Sequence, residues 1–204
     1  MGGSTTNFLY LDRVSFTKKY WMYYLLLESK VIHTSSYVHF HEDNLNAFSY
    51  EFANLQYSIG AELDSFFKVY CGYQTTDVTN IRDYADQILT NRYTNIIDQE
   101  IILREYDINI KPFSGWDKNL PKQSLPWWTA YDNIKHSRYD NIKDASLKNV
   151  LNLLGGLYLL EMKYLKELAD YYSDMDCPDY DSSLFELKNW NTRFKNIGSM
   201  KLVQ

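Results

Sequence analysis

Residues Ala145–Tyr172 read ASLKNVLNLLGGLYLLEMKYLKELADYY. Leu147, Val150, Leu151, Leu154, Tyr158, Glu161, Leu165 and Leu168 recur at three and four residues, the spacing of a helix that buries one face. This is the longest helical pattern in the chain, with Asp144 as its expected cap. Gly155 and Gly156 in its middle cost roughly 1 kcal/mol each relative to alanine, a cost that is tolerable if another helix crosses closely there.

A second long helix is predicted upstream. Asp43 or Asn44 is its expected cap, and Leu45, Phe48, Phe52, Leu55, Ile59, Leu63, Phe66 and Tyr70 form its apolar stripe. A shorter helix is predicted from Thr79, with Ile81, Tyr84, Ala85 and Ile88 on one face, and another over Phe16–Ser29. SYVHFHE near Tyr37 reads as extended, and residues 99–112 as a small extended or β excursion rich in isoleucine. Pro112, Pro121 and Pro126 place a loop between Lys111 and Pro126, and helix resumes at Trp127. The expected fold is a mostly α, all-helical bundle of about four to six helices with that one β excursion.

The expected organisation is a single helical domain over residues 1–172, then an acidic linker and C-terminal appendage over 173–204. In the appendage Ser183 and Glu186 have capping-box spacing. Asp174, Asp176, Asp179 and Asp181 lack the glycine and terminal glutamate of a calcium loop and read as a solvated linker. Hydrophobic residues at 45% and charged residues at 23% fit a folded globular chain. Two distant cysteines, Cys71 and Cys177, and no stretch of secretory-signal type lead to an expectation of a cytoplasmic protein with no membrane span. MGGSTT has myristoylation spacing, a short match that arises readily by chance, and no lipid anchor is expected.

The net charge of −5 disfavours a surface that attracts polyanions everywhere. Between Lys111 and Lys148, however, seven lysines and arginines face four aspartates, a local +3 against −8 in the remainder. That segment holds WWTAYDNIKHSRYDN, Trp127–Asn141. On a helix Trp128, Tyr131, Lys135, Tyr139 and Ile142 share one aromatic face that reads as core. Asp132 and His136 stand four apart on its flank with Asn133 nearby, so the carboxylate can orient the imidazole. Arg138 falls about 160° from His136 on the same wheel.

Glu62 lies about 50° from the centre of the second helix's apolar stripe, at the edge of the buried face. The simpler expectation pairs it with a cation at the rim; the sharper one makes it orient a basic group in a pocket. Asp64 is expected to pair with Lys68 on the solvent side. His39 and His41 could supply half of a metal site if extended, but surface histidines are the reading taken, with no metal and no cofactor. Phosphate-loop, dinucleotide, nucleophile-elbow and CxxC motifs are absent.

AFSYEFANLQYSIGAELDSFFKVYC, then Pro112, Phe113 and Trp116, then WWTAYDNIKHSRYDN and ASLKNVLNLLGGLYLLE together resemble bacterial helical proteins related to the HEPN superfamily, over about residues 44–172. The resemblance implies a helical bundle, commonly a homodimer, and a metal-independent ribonuclease of toxin–antitoxin or phage-defence systems. That superfamily's motif sets an arginine four to six residues before a histidine. Here Ala130 and Tyr131 stand where that arginine is expected, and the match is Asn133, Lys135 and His136.

The mechanism so implied is attack of an RNA 2′-hydroxyl on the adjacent phosphate, with His136 as general acid or base. Lys135 or Arg138 would stabilise the transition-state charge and Asn133 would position a phosphate oxygen. Glu62, Asp132, Tyr131 and Trp128 would complete the binding site. The alternative is a non-catalytic helical module for a protein partner, such as an antitoxin, or for a nucleotide. The missing arginine and the negative net charge favour that alternative.

Overall fold

The computed structural model describes residues 11–74, 76–91, 95–188 and 190. The MGGSTT stretch lies outside them. The chain is mostly α-helical with a small antiparallel sheet, as expected. Helix α1, Arg13–Phe16, runs through a π turn, Thr17–Trp21, into α2, Met22–His33; α3 is Tyr50–Cys71, α4 Ile81–Asp86, α5 Pro126–Ser137 and α6 Leu147–Tyr172. Strands β1, Ile101–Leu103, β2, Asn109–Ile110, and β3, Phe185–Leu187, form the sheet in the order β2-β1-β3.

Helices α3 and α6 form the centre of the bundle, with Phe66 and Tyr164 meeting edge to face at 5.7 Å. Helix α5 crosses α3 where Gly60 leaves room: a Cβ there would lie 2.4 Å from the Tyr131 ring. At Gly155 the close neighbour is the sheet and the proline loop, not a crossing helix. A Cβ would sit 2.7 Å from Ile110 and 3.2 Å from Pro112. Gly155 thus makes room for the β excursion and the proline loop, whereas the neighbours of Gly156, at ordinary contact distance, are Phe113 of that loop and Trp127 of α5, the helix that approaches there.

Both long helices start later than expected, for one shared reason. Phe48 bridges Ser146 in antiparallel fashion, and the amides of Ser49, Leu147 and Lys148 donate to the carbonyls of Ala145, Ala47 and Leu45. The two segments before α3 and α6 are therefore paired with one another. Each helix then begins at a serine: Ser49 accepts from the Phe52 amide and Ser146 from the Asn149 amide. Asp43 and Asn44 fall in a 3-10 turn, as does Asp144.

Three further expectations are corrected. Ser183 and Glu186 begin no helix: Glu186 lies in β3, which pairs with β1 because the fully buried Ile101 and Leu103 leave that edge to be completed. Nor is the acidic segment simply solvated, since Arg13 pairs with Asp174 and Asp179 and donates to the carbonyls of Met175 and Cys177. Tyr37 follows a 3-10 turn with helical backbone angles, and of that stretch His41 is extended without joining a strand. Glu28 of α2 ties the same C-terminal segment down. Its buried carboxylate accepts from the hydroxyls of Tyr24 and Ser182 and from the amides of Ser183 and Leu184. Among the described residues no helix is long and apolar enough to cross a membrane.

Candidate functional site

Helix α5 carries most of the expected site. Pro126 occupies its first turn, where a missing amide costs nothing. It ends at Ser137, because Asn141 donates its side-chain amide to the carbonyls of Asn133 and Ser137. Tyr139, expected on the core face, leaves the helix direction after that end and is exposed.

Trp128 and Tyr131 are buried. The Trp128 ring meets Phe67 at 5.7 Å and Tyr131 at 5.5 Å, both edge to face. Burial, with Asp64 and Asp132 nearby, pushes the Tyr131 hydroxyl up to about 12. These two rings are core, and neither reaches a ligand from its present position. Asn133 is likewise committed, donating to the Asp144 carboxylate at 2.9 Å.

The solvent end of α5 is different. His136 Nε2 lies 3.4 Å from Asp132 Oδ1, and the imidazole is 75% exposed. The other oxygen of Asp132 receives the Lys122 ammonium from the proline loop. The expected Asp132–His136 pair is therefore present, with Lys122 as a third member. Lys135 lies over the Tyr131 ring at 5.7 Å, and Arg138 over the Tyr50 ring at 5.6 Å. Both cations are exposed, and among the described residues no carboxylate pairs with either. His136 thus turns to the loop side and Arg138 to the start of α3, as the helical wheel predicts.

Glu62 belongs elsewhere. Among the described residues it has neither the expected rim cation nor any basic group of α5 to orient. Half-buried on α3, it faces Tyr20 of the π turn and the fully buried Glu161 of α6, and burial raises its carboxyl. Asp64 accepts from the Tyr84 hydroxyl at 3.0 Å, and Lys68 donates to the Asp77 carbonyl at 2.9 Å, in place of their mutual pair. The rings of His39 and His41 stack 6.4 Å apart, and His41 Nδ1 accepts from the Asp43 amide. Among the described residues no three of histidine, cysteine, aspartate and glutamate gather in a metal-binding group.

Sequence reasoning missed a second surface, at the start of α5. Phe48 is 48% exposed next to Lys143 and Lys148. The signal was the same aromatic residue placed on the wrong element. Comparison with family models, with curated proteins and with solved structures finds no match for the chain. The class defined here is a mostly α-helical protein with a three-stranded antiparallel sheet, and the HEPN resemblance rests on the quoted residues alone.

Proposed function

We propose that the chain is a non-catalytic helical binding module whose contact surface is the solvent end of α5, and that its partner bears phosphates, as RNA does. One observation carries this reading: Lys135 and Arg138 are exposed cations without a carboxylate partner among the described residues. Of the neighbouring aspartates Asp132 is held by Lys122 and His136, while Asp144 accepts from Asn133 and Asp140 from Ser137. Between Lys122 and Lys148 five cations stand against Asp132, Asp140 and Asp144, so positive charge is in local excess on a chain that is negative in total. A nuclease would need its acid–base group and its cation on one phosphate, and His136 and Arg138 turn to different neighbours.

The test is anisotropy of a labelled RNA at about 50 mM and about 200 mM salt, where phosphate-directed binding weakens steeply. Lys135→Glu with Arg138→Glu is expected to weaken binding roughly tenfold or more, at an unchanged thermal midpoint. Absence of RNA binding at the lower salt, or equal binding by the charge-reversed variant, would overturn the reading.

The ribonuclease reading stands second, favoured by the exposure of His136 and its orientation through Asp132 and Lys122. In that reading a homodimer supplies Arg138 of a second copy to a shared cleft. His136→Ala at matched thermal midpoint separates the two, because only the ribonuclease reading makes RNA cleavage depend on that imidazole.

A further inference from the structure

At the Pro126 end of α5 lies a groove of about 450 Å³ whose other lining residues are Asn46, Phe48, Lys143, Ser146, Lys148 and Asn149. That volume falls within the range of small-ligand sites. At Pro126 and Asn149 it meets a second cavity of about 390 Å³ that runs along α5 to Asn133. Among the described residues no carboxylate lines the first groove.

Three features of this groove point in one direction. Phe48 offers a half-exposed aromatic ring on backbone pinned to residues 145–148 by the bridge to Ser146 and the flanking amide bonds. Its ring is thus presented at small conformational cost. Lys143 and Lys148 are exposed, and among the described residues neither ammonium has a hydrogen-bond or ion-pair partner. The polar lining is oriented and still able to bond: Asn149 donates to the Asp144 carbonyl, which leaves its Oδ1 to accept, and Ser146 Oγ accepts the Asn149 amide, which leaves its hydroxyl to donate.

A flat π face, two ammoniums and amides with both donor and acceptor capacity match the parts of a nucleotide. The base stacks on the ring, the phosphate meets the lysines, and the amides meet the base edge. An apolar ligand would leave the lysines unused, and an inorganic anion would leave the ring unused. We infer that this groove binds a nucleoside-phosphate unit, with Phe48 as the stacking platform and Lys143 and Lys148 as the phosphate contacts. The inference rests on the phosphate-binding reading above and adds to it a base-binding site on a different face. Segment 48–50 joins the two, since Tyr50 carries Arg138.

The experiment is calorimetric titration of the full chain with AMP, adenosine and a ten-residue oligoadenylate, RNA-type. AMP is expected to bind about tenfold or more tightly than adenosine. Phe48→Ala, and Lys143→Glu with Lys148→Glu, are each expected to lose roughly tenfold at an unchanged thermal midpoint, and Phe48→Tyr to retain binding. Tight binding of AMP alone identifies a free nucleotide as the source, whereas much tighter oligoadenylate binding identifies a strand; either supports the inference. If oligoadenylate binds and only the Lys135→Glu, Arg138→Glu variant loses it, the groove assignment is overturned and the α5 reading stands. If neither AMP nor oligoadenylate binds at millimolar ligand, both are overturned.

Discussion

Glu161→Gln is expected to flatten the pH dependence of stability, because burial favours the neutral form of the wild-type carboxyl in the folded chain. Glu161 is 0% exposed on α6, and among the described residues neither of its carboxylate oxygens has a hydrogen-bond partner. Ionising such a group without a partner is far more costly than leaving it protonated. Burial first, and the nearby Glu62 second, hold the Glu161 carboxyl well above the usual carboxylate range. The folded-state value therefore exceeds the unfolded one, about 4.3 for a glutamate in a flexible chain. The contribution is intact below that unfolded value and declines as pH rises, until the folded-state value is passed.

Within that window one proton is worth about 1.4 kcal/mol per pH unit. At about 2–4 °C per kcal/mol for a chain of this size, the thermal midpoint of Glu161→Gln should gain on wild type by about 3–6 °C per pH unit. Thermal melts of both proteins at about pH 5.5 and about pH 6.5 measure the difference, and other titrating groups cancel in it. Glu161→Leu, which removes the buried polar group, should stabilise the chain by about 1–3 kcal/mol near neutral pH. Parallel melting curves for wild type and Glu161→Gln would refute the reasoning, because they would mean that Glu161 is ionised in the folded state.

Gly60→Ala should destabilise by about 1–3 kcal/mol in chemical unfolding, since its Cβ would meet the Tyr131 ring at 2.4 Å and force α3 from α5. Glu28→Ala should cost at least about 3 kcal/mol, because it strands the donors of Tyr24, Ser182, Ser183 and Leu184; limited proteolysis should then cut first in the 174–184 segment. His136→Ala should change stability by less than about 0.5 kcal/mol in the same unfolding assay, the imidazole being exposed and paired only with Asp132.

The helices were legible wherever burial repeats at three and four residues. Phe52 to Tyr70 are buried on one face as their spacing requires, whereas on α6 the expected stripe is buried together with every residue from Leu153 to Met162, so the middle of that helix is enclosed on all sides. Their starts were not legible, because residues 45–49 and 145–148 pair with each other across the fold and displace the local cap chemistry of Asp43, Asn44 and Asp144. The same limit explains β3. Ser183 and Glu186 have capping-box spacing, but Glu28 and the open edge of β1 decide their conformation from a distance.

At the site, the Asp132–His136 pair was visible because it is local to one helix turn. Lys122 was not, since it arrives through an irregular proline loop. Asn133 looked available because nothing local shows that Asp144 returns to it. Glu161 was read only as one position of the α6 stripe, and packing against α3 and the π turn is what leaves its carboxyl without a hydrogen-bond partner among the described residues.

The most direct measurement is cleavage of a labelled structured RNA in excess chelator by the purified chain, beside His136→Ala at matched thermal midpoint. Both proteins are expected to bind RNA, and neither to cleave it. Cleavage by the parent that leaves 2′,3′-cyclic phosphate ends, and that is lost in His136→Ala, would contradict that expectation and make the solvent end of α5 a ribonuclease centre.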